Sequence, residues 1–249
     1  MLRLWPERLT AGVYAHAGRL YRARGRKVAD WTSTVPAANL EDGLERLLGA
    51  YVPRAGASLE LIVSDESARL IALPWQNDIV NRQQREAYAR ACFTHAGFVL
   101  GDDWAVAACY RHFGGVGLGL AMPKSVVSSV RERLTQRRIQ LRSIMPASAW
   151  AYWRADAVRG SRTAVLLCEH RRLSAMLFDG KTCVGFHIHP IGAGLNDAVL
   201  RVKAAVEATL PSISLVQFWS AAQSDEQASV IQDAFPAPRF EALQSLEQR

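Results

Sequence analysis

Two histidines on one predicted strand are the residues whose types and spacing come nearest to a metal site. His187 and His189 are separated by one residue, so both side chains point to the same face of a strand. With Cys183 or Glu169 nearby, they supply ligand types that zinc prefers. The alternative is that both are half-buried polar residues that end a hairpin just before Pro190. The other histidines have no ligand spacing, and we predict no metal site.

Adjacent acidic residues are the next candidates for chemistry. The chain contains two such pairs, Asp65-Glu66 and Asp102-Asp103. The members of a catalytic pair must converge on one bond of the substrate, whereas neighbouring residues in a turn usually point apart. We therefore interpret both pairs as turn residues. The G-x-S-x-G, H-E-x-x-H, P-loop and G-x-G-x-x-G motifs are absent from the sequence.

The composition is that of a folded, cytosolic protein. Of the 249 residues, 49% are hydrophobic and 21% are charged. The first residues, MLRLWPERLTAGVY, carry charges inside any apolar stretch and do not resemble a secretory signal. No apolar run approaches the ~20 residues that span a bilayer. The four cysteines form no C-x-x-C pair and are predicted to be reduced core residues: Cys92, Cys109, Cys168 and Cys183.

The net charge of +7 permits contact with an anionic surface. Basic residues cluster at 19–27 and at 131–138. We interpret these clusters as a solvated hairpin edge and a solvated helix face, and an acidic partner or a membrane surface is the alternative. No nucleic-acid recognition motif accompanies either cluster, so we predict no nucleic-acid partner.

Hydrophobic periodicity predicts the same order of elements twice along the chain. In the first half, three strand-like segments are followed by a helix at 40–50, where leucines recur at helical spacing. Residues 58–75 are predicted to form a hairpin. The other elements predicted for this half are strands at 11–17, 18–24 and 27–33, a helix at 80–96, a strand pair around Gly114-Gly115, a helix from Pro123, a strand at 139–145 and a helix from Pro146.

The second half repeats the opening of the first. Three strands are predicted again, and Asp179-Gly180 is a strong signal for a hairpin between the second and the third. Residues 155–161 are the best candidate for a linker between the halves. The elements predicted for this half are strands at 163–170, 172–179 and 181–189, a helix at 196–209, a strand at 213–220, a helix at 226–234 and a polar, amphipathic tail at 239–249.

Two copies of a β-β-β-α-β-α order describe the ribonuclease-H-like lobes of the actin, sugar-kinase and Hsp70 superfamily. Within it, the chain resembles the PilM and GspL-like proteins of pilus assembly and type II secretion. The likeness covers about 60–240, and the segments that carry it are ARLIALPW (68–75), GLGLAMPKSVVSSVRERL (117–134), IQLRSIMPASAWAYWR (139–154) and RTAVLLCEHRRLSAMLFDGKTCVGFHI (162–188).

The resemblance implies an α/β fold with two actin-like lobes. The first lobe would comprise residues 1–154, with a small inserted α/β subdomain at about 55–122, and a truncated second lobe would comprise residues 162–249. The chain is shorter than a typical PilM protein and lacks the membrane anchor that follows the cytoplasmic region of GspL. It is therefore either a compact PilM-like relative or a truncated GspL-like domain.

The resemblance also implies where a nucleotide would bind. Active members carry an acid on the first strand of each lobe, in a pattern close to D-x-G-x-x-[ST/x]-x-K, and the acids hold Mg²⁺ against the phosphates. The first lobe reads GVYAHAGRLY (12–21) and supplies no carboxylate. In the second lobe Glu169 is the surviving acid, and Ser174 stands for the phosphate-side hydroxyl. Gly192 and Gly194 are either a remnant of an adenosine-side loop or a helix N-terminus.

Tryptophan is the best indicator of a binding surface in this chain, because it is large and amphipathic. The sequence contains seven tryptophans. We list four of them as candidates for a groove that holds a partner segment, with core packing as the alternative: Trp75, Trp104, Trp150 and Trp153.

These observations predict a non-catalytic scaffold without a cofactor. Resemblance to PilM implies a cytoplasmic location at the inner face of the bacterial inner membrane, where the protein would bind the tail of a PilN-like membrane protein. An assembly ATPase is a second implied partner, and a homo-oligomer is left open. The alternatives are an actin-fold ATPase or kinase that binds ATP and Mg²⁺ and uses Glu169, and a nucleic-acid binder that uses the arginines of the two basic clusters.

Overall fold

A computed structural model describes residues 6–23, 25–155, 160–192, 194–243 and 246–247. These residues form three β-sheets with helices packed against them. In chain order the elements are β1 (Arg8–Val13), β2 (Ala17–Arg22), β3 (Arg26–Thr32), α1 (Leu40–Ala50), β4 (Ser58–Val63), a short 3-10 helix (Asp65–Ser67), β5 (Arg69–Leu73), α2 (Arg82–His95), β6 (Trp104–Cys109), β7 (Gly117–Pro123), α3 (Lys124–Gln136), β8 (Gln140–Pro146), α4 (Ala147–Arg154), β9 (Arg162–Cys168), β10 (Arg172–Asp179), β11 (Thr182–Pro190), α5 (Leu195–Thr209), β12 (Leu215–Ser220), α6 (Asp225–Ala234) and β13 (Arg239–Leu243).

The first sheet has the strand order β3-β2-β1-β4-β8. Strands β1 to β3 are antiparallel, and β4 and β8 join them in parallel. Helices α1 and α3 cover one face, because their leucine and valine stripes are buried there. Asn39 begins α1 by accepting the backbone N–H of Asp42.

The second sheet repeats this topology, with the order β11-β10-β9-β12-β13. Helices α5 and α6 cover its outer face and bury Val199, Val202, Val206 and Ile231. The turn between β10 and β11 contains Gly180 with φ of 58°, as a tight two-residue hairpin requires. The duplicated order of elements predicted from the sequence is therefore confirmed.

Strand register relates positions of the two lobes to each other. Gly12 pairs with Arg19 across β1 and β2, and Leu167 pairs with Ser174 across β9 and β10. Gly12 and Leu167 thus hold equivalent positions in the two lobes. Tyr14 lies two residues after Gly12 and Glu169 lies two residues after Leu167, so Tyr14 and Glu169 are counterparts. Each follows the first strand of its lobe and points into the space between the lobes.

The third sheet is small and belongs to a segment inserted between β4 and α3. It has the order β5-β7-β6, is antiparallel and carries α2. The predicted hairpin at 58–75 is wrong, because β4 pairs with β1 and β8 whereas β5 pairs with β7. The alternating residues of β4 resemble one arm of a hairpin, but Leu59, Leu61 and Ile62 are all buried, as in a central strand covered on both faces. The insertion accordingly begins after β4, and its predicted start at about 55 is corrected to Ser64.

The two lobes meet through the faces of their sheets that α1, α3, α5 and α6 leave uncovered. Helix α4 lies between the lobes, and its Trp150, Ala151 and Tyr152 share a core with residues of β9 to β11. The tail, predicted to be polar and amphipathic, adds strand β13 in parallel beside β12. Of the predicted linker at 155–161, residues 156–159 lie outside the described residues.

Candidate functional site: the cleft between the lobes

The turn after β9 in the second lobe contacts the segment after β4 in the first lobe. The carboxylate of Glu169 accepts a hydrogen bond from the backbone N–H of Asp65 at 2.9 Å. Arg172 Nη1 donates to the carbonyl oxygen of Asp65 at 2.7 Å. The backbone N–H of Arg171 donates to Glu66 Oε1 at 2.8 Å. Three hydrogen bonds between the lobes thus converge on two consecutive residues, Asp65 and Glu66.

The side chain of Asp65 points into the molecule and begins helix α4. Asp65 Oδ1 accepts the backbone N–H of Ser148 at 2.9 Å, and Oδ2 accepts the hydroxyl of Ser148. The hydroxyl of Ser174 also hydrogen-bonds this carboxylate. Because Pro146, the N-cap residue of α4, forms no side-chain cap bond, Asp65 supplies the missing acceptor from another segment.

Burial changes the protonation of both acids. Glu169 is 5% exposed and Asp65 is 0% exposed. Loss of solvent and the neighbouring charge of Asp65 hold the pKa of Glu169 well above its usual range. Loss of solvent also raises the pKa of Asp65, against the hydrogen bonds from Ser148 and the charge of Arg172, which lower it. Both carboxyl groups therefore take up a proton more readily than they would in water.

The first-lobe side of the cleft contains a tyrosine and a carboxylate from the tail. Tyr14, 2% exposed, donates its hydroxyl to Glu247 Oε1 at 2.8 Å. Loss of solvent and the Glu247 carboxylate raise the pKa of Tyr14 well above its usual value. A Cβ atom on Gly12 would lie 1.9 Å from Glu247 Oε1. The Glu247 carboxylate therefore fills the space that a side chain at position 12 would occupy.

The two turns that would face the nucleotide phosphates touch each other. His16 Nε2 lies 3.2 Å from His170 Nδ1, and the ring centroids are 4.5 Å apart. Next to this contact, Arg19 Nη2 donates to the carbonyl oxygen of Ala221, in the segment after β12, at 2.8 Å. Arg19 thus mirrors Arg172, because each arginine bonds a backbone carbonyl just after the fourth strand of the opposite lobe.

This arrangement does not fit Mg²⁺ and a nucleotide triphosphate. A magnesium site needs carboxylate oxygens that face a hydrated ion. Here Glu169 faces the backbone of Asp65, and Glu247 faces the hydroxyl of Tyr14. Hydrogen bonds of Glu169, Arg172 and Arg19 instead hold the two lobes together.

The residues predicted from the sequence separate into three places. Glu169 and Ser174 lie together in the cleft, on the carboxylate of Asp65 and its backbone. Gly192 and Gly194 lie at the start of α5, where Gly194 is the N-cap residue, and the intervening Ala193 is outside the described residues. Ile191, just before them, donates its N–H to the carbonyl oxygen of Arg171.

The four tryptophans are also dispersed. Trp150 is 5% exposed and donates its indole N–H to the carbonyl oxygen of Leu246 at 2.9 Å. Trp104 is half-buried on β6. The ring of Trp75 meets that of Tyr110 edge to face and that of Phe113 at a tilt, and Trp153 is 46% exposed beside Tyr152. Trp75 and Trp104 are thus half-buried and Trp153 is exposed, whereas Trp150 is a core residue.

Sequence reasoning missed the residues that define the cleft, among them Asp65, Arg19 and Glu247. Asp65 and Glu66 were predicted to be turn residues whose side chains point apart. The two side chains do diverge, but each makes a contact: Asp65 binds α4, and Glu66 binds the opposite lobe. An aspartate in a polar Ser-Asp-Glu-Ser segment gives no indication of its partner, because Ser148 is 83 residues away along the chain.

The predicted histidine pair makes an ordinary polar contact. His187 Nε2 lies 3.0 Å from the hydroxyl of Thr209 on α5. Burial lowers the pKa of both His187 and His189. Within the described ranges, no three side chains of His, Cys, Asp or Glu are grouped so that they could hold a metal ion.

The helices are short compared with a membrane span. The longest helix in the described part of the chain, α5, has 15 residues. None of the described helices has both the length and the hydropathy of a membrane span.

Comparison with known proteins identifies the fold as that of the actin-like ATPases. A Bacteroides thetaiotaomicron protein of unknown function with this fold superimposes with a TM-score of 0.65 at 9% identity, over 95% of this chain and 90% of that one. No protein-family model matches the sequence, and no curated protein matches it. The fold class predicted from the sequence, with two ribonuclease-H-like lobes, is confirmed.

Two solved structures of assembly proteins share this fold. In the PilM–PilN type IV pilus biogenesis complex, the similar chain gives a TM-score of 0.66 at 12% identity, over 95% of this chain and 88% of that one. The cytoplasmic domain of EpsL, an inner-membrane component of the type II secretion system of Vibrio cholerae, gives 0.53 at 11% identity, over 98% and 88%. The predicted likeness to PilM and GspL-like proteins therefore holds at the level of the fold.

Proposed function

We propose that this protein is a non-catalytic scaffold of a type IV pilus or type II secretion assembly platform. In this role it sits in the cytoplasm at the inner membrane and binds the cytoplasmic segment of a membrane protein. The observation that carries the proposal is the contact between the lobes, in which Glu169 binds the backbone N–H of Asp65 and Tyr14 binds Glu247.

The architecture supports a binding role over catalysis. A catalytic carboxylate must be reachable by substrate or metal, whereas Glu169 and Asp65 are both buried at the contact between the lobes. The two arginine–carbonyl hydrogen bonds fix the lobes relative to each other. A rigid two-lobed body with surface grooves suits a platform component. The structural likeness to the PilM and EpsL proteins supports the choice of machinery.

The test is direct binding to candidate membrane partners. The full chain is titrated, by isothermal calorimetry, with synthetic peptides of the cytoplasmic segments of the inner-membrane pilus and secretion proteins from the same genome. We expect saturable binding of one segment and none of its scrambled version. Absence of binding to every such segment would contradict the proposal.

A second candidate, a nucleotide- or anion-binding protein, is favoured by one observation. A cavity of about 410 Å³ lies beside Arg19, and Tyr21, Lys27, Ser220 and Asp225 also line it. Arg19 is 4% exposed, and its Nη1 atom has no hydrogen-bond partner in the described part of the chain. Nucleotide binding here would be weakened by Arg19→Met, whereas the scaffold role does not require this cavity.

A further inference from the structure

Three aromatic side chains form a cluster on the surface of the inserted subdomain. Trp75 follows β5, and Tyr110 and Phe113 lie in the loop between β6 and β7. The ring of Trp75 is 5.3 Å from that of Tyr110 and 4.8 Å from that of Phe113, centroid to centroid. Phe113 is nevertheless 82% exposed. A large apolar side chain held in place at the surface is typical of an interaction site.

These rings line a groove of about 220 Å³ together with Arg85 of α2, His112 and Ile79. We call this surface the aromatic groove. The cavity has room for one apolar side chain of a partner. Tyr110 forms part of its wall, and burial raises the pKa of the Tyr110 hydroxyl to about 12, so that this wall is uncharged at neutral pH.

The groove is held in shape by hydrogen bonds from its floor. Arg111 Nη1 donates to the carbonyl oxygen of Tyr152 at 2.9 Å, and Nη2 donates to that of Ala155 at 2.8 Å. The hydroxyl of Tyr110 donates to the carbonyl oxygen of Pro74 at 3.2 Å. The loop is thereby fixed on α4 and on the end of β5. A partner would therefore lose little binding energy to ordering of the groove.

The charge of the groove is positive. Two arginines, Arg85 and Arg111, line it, and no aspartate or glutamate of the described residues does. Arg85 forms no ion pair with a carboxylate in the described part of the chain. Such a lining attracts acidic groups and repels basic ones.

We propose that the aromatic groove binds a protein segment in which one apolar side chain is flanked by acidic residues. The apolar side chain packs between Trp75 and Phe113, and the acidic residues lie beside Arg85 and His112. This inference names a docking surface on the scaffold and the chemistry of its partner. The inference depends on the proposed function in one respect only, which is that the partner is a membrane protein.

The experiment uses three labelled peptides and fluorescence anisotropy with the full chain. In the first peptide one leucine is flanked by glutamates, in the second the glutamates are lysines, and in the third the leucine is serine. We expect the first to bind at least about tenfold more tightly than the other two. Equal affinities, or no saturable binding of the first peptide, would overturn the proposal.

Two substitutions and a control locate the binding. Phe113→Ser should weaken the glutamate peptide at least about tenfold. Arg85→Glu should reverse the preference between the glutamate and lysine peptides. Val52→Ser is the matched control, because Val52 is also 82% exposed but lies after α1 in the first lobe. An unchanged affinity in Phe113→Ser would also overturn the proposal.

The outcome separates this inference from the proposed function. If Phe113→Ser abolishes binding of the glutamate peptide but the membrane segment still binds, the scaffold role stands and its docking site is elsewhere. If the glutamate peptide binds at the aromatic groove but no membrane segment does, the groove is established and the assembly role fails.

Discussion

The two turns that face each other across the cleft are built alike but carry different chemistry. Tyr14 follows β1 and Glu169 follows β9, at counterpart positions of the register, and both side chains are buried. Each lobe also sends an arginine to a carbonyl of the other, through Arg19 and Arg172. The contacts between the lobes are therefore approximately symmetric.

The difference lies in how each turn uses a carboxylate. On the second-lobe side, Glu169 and Asp65 are a buried acid pair with Arg172 beside them. On the first-lobe side, a neutral tyrosine meets the single carboxylate of Glu247. The same topology therefore supports two different contacts: a buried acid pair with an arginine on one side, and a tyrosine hydroxyl that binds a tail carboxylate on the other.

Of the changes at this contact, removal of the Asp65 side chain should lower the free energy of unfolding the most. Asp65→Ala leaves the buried N–H and hydroxyl of Ser148 without an acceptor, and we expect a loss of about 3 kcal/mol in the free energy of unfolding, measured with urea. Asp65→Asn keeps one acceptor oxygen and should lose about half as much. The control is Ala222→Ser. Ala222 is exposed and lies two residues after β12, as Asp65 lies two residues after β4, and we expect its substitution to change the free energy of unfolding by less than about 0.5 kcal/mol. A loss below about 1 kcal/mol for Asp65→Ala would contradict the role of this residue.

The two arginines should differ in the cost of their removal. Arg19 is almost fully buried and Arg172 is half-buried. Arg19→Met should therefore lower the free energy of unfolding by about 2 kcal/mol and Arg172→Met by about 1 kcal/mol. Equal losses would show that the two sides of the contact are equivalent, contrary to the account above.

The third effect is a change in the pH dependence of stability. The folded-state pKa of Glu169 is raised above its unfolded value, so its contribution to stability is present at low pH and is lost as the pH rises through the folded-state pKa. Glu169→Gln removes this proton-linked loss. We expect the variant to gain stability relative to the wild type between pH 5 and pH 8, as measured by urea unfolding at each pH. A difference that stays constant with pH would show that Glu169 titrates normally.

The smallest effect is expected at the contact between the two histidines. His16 and His170 are partly exposed at the mouth of the cleft. A double-mutant cycle with His16→Ala and His170→Ala should give a coupling energy under about 0.5 kcal/mol at neutral pH. A coupling energy above about 1 kcal/mol would show that this pair is a main component of the contact between the lobes and not a minor surface contact.

The duplicated fold could be predicted from the sequence because periodicity is local. The helix after the opening strands of each lobe appears where leucines and valines indicate it, but the first strand, predicted at 11–17, is Arg8–Val13. The hairpin at 58–75 was wrong for a physical reason. Whether β4 pairs with β5 or with β1 depends on partners far along the chain, and the alternation within β4 is compatible with both.

The cleft could be predicted only in part. Glu169 and Ser174 were recognised by their place after the first strand of the second lobe. Asp65, Arg19 and Glu247 were not, because their roles come from contacts between residues that are 83 to 233 positions apart. That the first lobe supplies no carboxylate at this turn was visible in the sequence, but the position of the tail carboxylate of Glu247 beside Tyr14 was not.

Titration of the full chain with Mg-ATP by isothermal calorimetry tests the central claim most directly. Because the protein's own side chains close the phosphate-facing part of the cleft, the account predicts no heat beyond dilution. Saturable binding of Mg-ATP that is weakened by Glu169→Gln would contradict it, since Glu169 would then face a ligand and not the backbone of Asp65.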